Sequence, residues 1–201
     1  MEDPAIQEAT ASDRLTLEEE YENQESWRAS HDKLTFIICQ PITPPPSNSV
    51  PILAGEVDAP EKMIGDVNFF LYPYDDDDDD TPGLCVGEVD IMIADTQDRG
   101  KGIGKAAVVA FLHYIFRNLD SVLAEYAQAR DGDGSHQKLK MLMVKIKADN
   151  AQSIALFRGL GFTQEGDVNY FGEVKLVLRE FGNITATIPD GYIELRYASD
   201  H

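Results

Sequence analysis

The chain has 201 residues, enough for one sizeable core, and its 43% hydrophobic and 26% charged content is that of a globular protein and not a disordered one. Asp and Glu number 36 against 17 Lys and Arg, a formal net charge of −19. This balance argues against a nucleic-acid binder and against docking on anionic lipid, both of which need a basic face; it is compatible with attraction of a cationic substrate or simply with solubility.

The two cysteines, Cys39 and Cys85, each sit in an apolar strand-like run and read as small buried hydrophobes of a reducing compartment, not as a disulfide framework. The opening "MEDPAIQEATASDR" is acidic and has no apolar core, so a cytoplasmic protein is expected, and no apolar run reaches membrane-spanning length. The glycosylation-like triplet at Asn183–Thr185 then reads as chance.

"LTLEEEYENQESWRA" predicts a helix, with Thr16 and Glu19 as a capping box and Leu17, Tyr21 and Trp27 as its apolar side. "KLTFIICQ" predicts a strand, and the proline-rich stretch at 41–60 a surface insertion. "KMIGDVNFFLY" and "LCVGEVDIMIA" predict two strands of an antiparallel hairpin around a second insertion at 73–83. The six aspartates in that insertion lack the ligand spacing of a calcium loop and read as a solvated charge run, and the start of a calcium pattern at Asp131 and Asp133 is not completed.

The apolar run from Ile103 to Ala127 predicts a helix broken near Asn118–Asp120. "KLKMLMVKIKA" predicts a strand. "DNAQSIALFRGLGF" predicts a short helix capped by Asp149 or Asn150, lined by Ile154, Phe157 and Leu160 and ended by Gly161. Residues 162–180 predict two further strands with a turn near Phe171–Gly172, and 181–201 a loose tail. The expected fold is α/β, a mixed sheet with helices on its faces and one domain over residues 1–180.

"DRGKGIGKAAV" sits between the third strand and the long helix. Its glycines let backbone amides approach a ligand, and the helix start favours an anion, so the stretch reads as a pyrophosphate cradle. The phosphate loop of nucleotidases fails here, because position 99 is Arg and position 106 is Ala where a glycine and a hydroxyl are needed. The dinucleotide fingerprint fits locally as Gly102-x-Gly104-x-x-Ala107, but the following strand ends in "KIKADN" well beyond the short strand–helix–strand unit that pattern needs, and the loop comes after a meander. The third pattern, Arg-x-x-Gly-x-Gly, falls on Arg99, Gly102 and Gly104.

With that motif, and with "NAQSIALFRGLGF" following the next strand, the chain resembles the GNAT superfamily of acetyl-coenzyme A-dependent N-acetyltransferases. "LTLEEEYENQESWR", "DKLTFII", "MIGDVNFFL", "GEVDIMIAD" and "RGKGIG" are similar to the N-acetyltransferase 9-like group within it, a branch that includes the ribosomal-protein alanine acetyltransferases. The resemblance covers roughly residues 5–180 and implies a mostly antiparallel central sheet with helices on both faces. It places the family's first strand ahead of "MEDPAIQEATAS", so that strand is expected to be missing and "KLTFIIC" to be an unpaired edge.

What the resemblance implies is direct acetyl transfer in a ternary complex of acetyl-coenzyme A and a primary amine, a protein N-terminus or a lysine; no residue cluster in the sequence suggests a metal. Arg99, Gly100, Lys101, Gly102, Ile103, Gly104 and Lys105 would hold the pyrophosphate; the other reading is a glycine-rich helix start with solvated lysines. Met92, Ile93 and Ala94 would bind the pantetheine arm and polarise the thioester carbonyl through their backbone. Glu88 matches an acidic position of the branch and would act through water as general base, or it is the polar face of a strand shared with Asp90. The family's usual acidic tyrosine is Phe157 here, which donates nothing. Ser153 matches a branch serine that would hydrogen-bond the sulfur, and Asn150 lies near the pantetheine; the plainer readings are a helix residue and a cap. A coenzyme A-binding scaffold and a nicotinamide-type oxidoreductase are the competing functions. His113 and His136 read as bystanders.

Overall fold

A computed structural model describes residues 15–43, 51–75, 81–131, 136–181 and 191–198. Asp76–Asp80, Asp133 and the Asn183–Thr185 triplet lie outside the described residues, as do the expectations attached to them. In chain order the elements are α1 (Leu17–Ala29), β1 (Lys33–Cys39), β2 (Ile52–Leu53), β3 (Met63–Pro73), β4 (Leu84–Ile93), α2 (Ile103–Arg117), α3 (Leu119–Asp131), β5 (Lys138–Lys147), α4 (Ala151–Gly159), β6 (Thr163–Gln164), β7 (Glu173–Leu178) and β8 (Tyr197–Ala198). The predicted break in the long helix falls at Asn118.

Six strands make one sheet in the order β1-β3-β4-β5-β7-β6, and β1 is its edge strand. Two backbone bonds bracket the β3/β4 hairpin, Tyr74 N to Leu84 O and Ala94 N to Ile64 O, each 2.9 Å. The next pair, β4 and β5, is parallel, which a hairpin cannot connect; α2 and α3 supply the crossover. That parallel ladder runs from Leu84↔Lys138 to Glu88↔Met143 and extends no further, although β4 continues to Ile93 and β5 to Lys147. β5 pairs antiparallel with β7 over its second half, and β7 with β6.

The chain forms two compact units, residues 1–35, 68–90 and 118–181 in the first, and 36–67, 91–117 and 182–201 in the second. The first unit centres on Phe69, Leu142, Val144, Phe162 and Leu176, all almost fully buried. Gly87 is required there: a Cβ at that position would lie 2.3 Å from the Phe69 ring. α1 opens with the predicted capping box, Glu19 N donating to the Thr16 hydroxyl at 3.3 Å and Thr16 N to the Glu19 carboxylate at 2.7 Å. Its expected apolar side does not pack into a core: no residue of α1 is buried, and Leu17, Tyr21 and Trp27 are exposed.

The second unit is built on α2, whose buried residues Val108, Phe111, Leu112 and Ile115 follow the i, i+3, i+4, i+7 spacing of one helix face. Phe36 of β1 meets Phe111 and Tyr114 at centroid distances of 5.2 and 4.9 Å. Of the expected tail over 181–201, the described residues 191–198 contain one short strand. β8 pairs in parallel with β2, Tyr197 donates its hydroxyl to Asp58 at 2.5 Å, and Arg117 bonds Glu194 at 2.5 Å. The signal is weak because each strand contributes only two residues, too few for an alternation to register.

Candidate active site

The glycine-rich loop occupies the turn between β4 and α2. Asp95 accepts from Gln97 N at 2.8 Å and starts a short 3-10 turn over Thr96–Asp98. Gly100 and Gly102 then take φ values of 75° and 84°, which residues with a Cβ rarely adopt. The carbonyl of Gly102 accepts from Ala106 N at 3.0 Å and opens α2 at Ile103. Gly104 lies within the first helical turn, where amides have no carbonyl of their own helix to bond. A Cβ built on Gly102 meets nothing within 4 Å, so the space over the turn is open. A loop of this shape, at the positive end of a 15-residue helix, suits a diphosphate.

The cations of the loop are arranged differently from one another. Arg99 turns back onto β4: Nε donates to Ile93 O at 2.9 Å and Nη2 to Ala94 O at 3.3 Å. Lys101 donates to Asp98 at 3.0 Å, and Lys105 is exposed. Arg99 thus ties the loop to the strand end instead of standing out as a bare charge.

Of the three backbone positions expected at a thioester, one is singled out. Ala94 N already donates to Ile64 O of β3, and alternation along a strand turns the Met92 amide the same way. The Ile93 N–H and C=O therefore face away from β3, on the side where Arg99 takes the carbonyl. β3 presses against this strand end so closely that a Cβ on Gly65 would lie 2.0 Å from Met92 O.

Glu88, Asn150 and Ser153 belong to the first unit. Glu88 Oε2 accepts from Lys145 Nζ at 3.0 Å, with the glutamate side chain 15% and the lysine 44% exposed. Burial raises the Tyr72 phenol above its ordinary value, and the negative charges of Glu88 and Asp32 push it further. Asn150, not Asp149, caps α4: its Oδ1 accepts from Ser153 N at 3.1 Å. That bond brings Asn150 and Ser153 together in the first turn of the helix. Phe157 is buried one turn on, edge-on to Phe162 at 5.3 Å between centroids, and serves the core.

His113 stacks edge-on against Tyr192 at 4.7 Å, and His136 is exposed. Cys85 is fully buried, and burial pushes its thiol up to about 11; Cys39 is partly exposed. Lys145 and Tyr72 join the list of candidate residues that the sequence did not single out. The available signal was period-two alternation: Lys145 shares its sheet face with Met143, the ladder partner of Glu88.

Residues 1–163 match the acetyltransferase (GNAT) domain family. The chain is 35% identical over 179 residues to an N-acetyltransferase 9-like protein of Caenorhabditis briggsae, covering 89% of this chain and 73% of that one. It is 37% identical over 176 residues to the alpha/beta-tubulin-N-acetyltransferase 9 of Drosophila melanogaster, covering 88% and 73%. Among solved structures, aminoglycoside acetyltransferase AAC(6')-Ib in complex with coenzyme A is similar in fold, with a TM-score of 0.56 at 19% identity over 92% of this chain and 88% of that chain.

Proposed function

Because this chain belongs to the GNAT acetyltransferase family and is an acyltransferase, we propose that it moves the acetyl group of acetyl-coenzyme A to a protein amine, an N-terminal one in preference to a lysine, by direct transfer. Family membership supports the Arg-x-x-Gly-x-Gly reading of the loop over the dinucleotide fingerprint. The observation that carries the proposal is the loop itself: two glycines at positive φ, a helix start behind them, open space in front, and Arg99 bound to the carbonyls of Ile93 and Ala94.

In this reading the amides of residues 100–105 hold the diphosphate, with Lys101 and Lys105 adding charge. The Ile93 N–H donates to the thioester oxygen as it becomes an oxyanion. Glu88 takes one proton from the acceptor ammonium, directly or through a water. The neutral nitrogen attacks the carbonyl carbon, the N–C bond forms, the C–S bond breaks, and the nitrogen releases its second proton to solvent to give the neutral amide. The thiolate leaves with a hydrogen bond from Ser153 and is protonated from solvent, since the buried Phe157 has no proton to give. An α-amine titrates near about 8 and a lysine near about 10.4, so one weak base suffices more readily for an N-terminus. The tubulin acetyltransferase name of the Drosophila relative supports a protein acceptor.

The test is thiol release from acetyl-coenzyme A against paired peptides, one with a free N-terminus and no lysine, the other N-terminally blocked with one lysine. Turnover should be faster on the first. No release with either peptide, together with no thermal stabilisation by coenzyme A, would sink the proposal.

A further inference from the structure

The charged groups of the first unit form a row across four strands. Lys145 of β5 and Lys175 of β7 are direct partners in the antiparallel ladder, an arrangement that repels unless each finds an anion. Each does, on opposite sides. Lys175 Nζ donates to Glu165 Oε1 at 2.8 Å, just beyond β6, where Arg179 also binds the same carboxylate. Lys145 turns the other way and donates to Glu88 Oε2 at 3.0 Å on β4. The Lys175 charge beside it disfavours the return of Lys145 toward β7, so repulsion and attraction select the same rotamer.

The position of the pair matters as much as its bond. Glu88↔Met143 is the last step of the parallel ladder, so the Glu88 backbone is the last part of β4 fixed by β5. Lys145 lies two residues beyond Met143 on the same face and reaches back to the carboxylate. The glutamate side chain is mostly buried, which confines it further. The lysine bond engages Oε2 of the carboxylate.

We propose that Lys145 is a positioning residue for acetyl transfer: it pins the Glu88 carboxylate in one orientation at the end of the β4/β5 ladder, so that one oxygen is presented to the acceptor amine. This rests on the reading of Glu88 as the base. A base misplaced by about 1 Å can lose up to about a hundredfold in rate, so orientation alone is a sufficient effect.

The experiment is a double-mutant cycle on the full chain with the free-N-terminus peptide, measuring kcat, the KM for acetyl-coenzyme A and Tm. Lys145→Met, which keeps the apolar stem, should lower kcat about tenfold or more and leave the KM for acetyl-coenzyme A within about twofold. Lys145→Arg should restore most of kcat, because a guanidinium reaches the same carboxylate. In a Glu88→Gln background, Lys145→Met should cost almost nothing further, since its effect passes through Glu88. Full kcat in Lys145→Met, equal losses in the Met and Arg variants, or additive losses in the double variant would each overturn the inference. If Glu88→Gln itself kept full turnover, the base reading would fall and this inference with it. An active wild type with an unaffected Lys145→Met leaves acetyl transfer standing and removes only the role of Lys145.

Discussion

A guanidinium carries its donors in a rigid plane, and Arg99 spends two of its nitrogens on consecutive carbonyls, those of Ile93 and Ala94. Lysine has one point charge on a flexible stem and cannot span both. Arg99→Lys is therefore expected to loosen the strand end and weaken coenzyme A binding several-fold, and Arg99→Ala about tenfold, on the scale of one or two charged hydrogen bonds in an exposed setting. Calorimetric titration with coenzyme A measures this; equal affinity in all three proteins would show that Arg99 has no part in shaping the site. At this scale the sequence marks Arg99 by its motif, and only the structure shows which carbonyls its guanidinium reaches. A motif gives residue types at a spacing, whereas the direction of a long side chain depends on which carbonyls its neighbours leave open. Asn150 is the opposite case, because a cap is a local device: its bond to Ser153 N spans three residues and needs no tertiary partner.

At the scale of the element, β3 and β4 make the more stringent demand. Gly65 permits β3 to lie against the Met92 carbonyl at a distance that no Cβ tolerates, and the obstacle is backbone, which cannot rotate aside. Gly65→Ala should cost about 1–3 kcal/mol and lower Tm by about 2–12 °C. It should also displace Met92–Ala94 and reduce kcat beyond what the stability loss explains. A variant with wild-type Tm and kcat would mean that the strand end adjusts at little cost. The long elements were legible: the apolar helical run of α2, the capping box of α1, the hairpin and the break at Asn118 each follow from spacing within one segment. The packing of α1 was not. Its apolar residues suggest a buried side, but the neighbours that would bury them are set by chain folding, and Leu17 and Tyr21 remain exposed.

For the molecule as a whole, the net charge of −19 sets up a field that favours cationic acceptors at a distance. The Debye length falls from about 30 Å at 0.01 M salt to about 8 Å at 0.15 M, so kcat/KM for a lysine- or arginine-rich peptide should drop several-fold over that range. An uncharged peptide of the same length should change little. Identical salt responses would mean that the acidic surface serves solubility alone. The family motifs imply a mixed, mostly antiparallel sheet, whereas the strand order, with β4 and β5 as a parallel pair, is read only from the structure.

The sequence by itself determined the helices, the long strands, the glycines of the turn and the family, because each is written in residues close together in the chain. The pairing of Lys145 with Glu88, the fold of Arg99 onto β4 and the ribbon of β8 with β2 were decided only in three dimensions. Each joins groups whose partners are chosen by strand register, burial and neighbouring charge, and local spacing does not encode those.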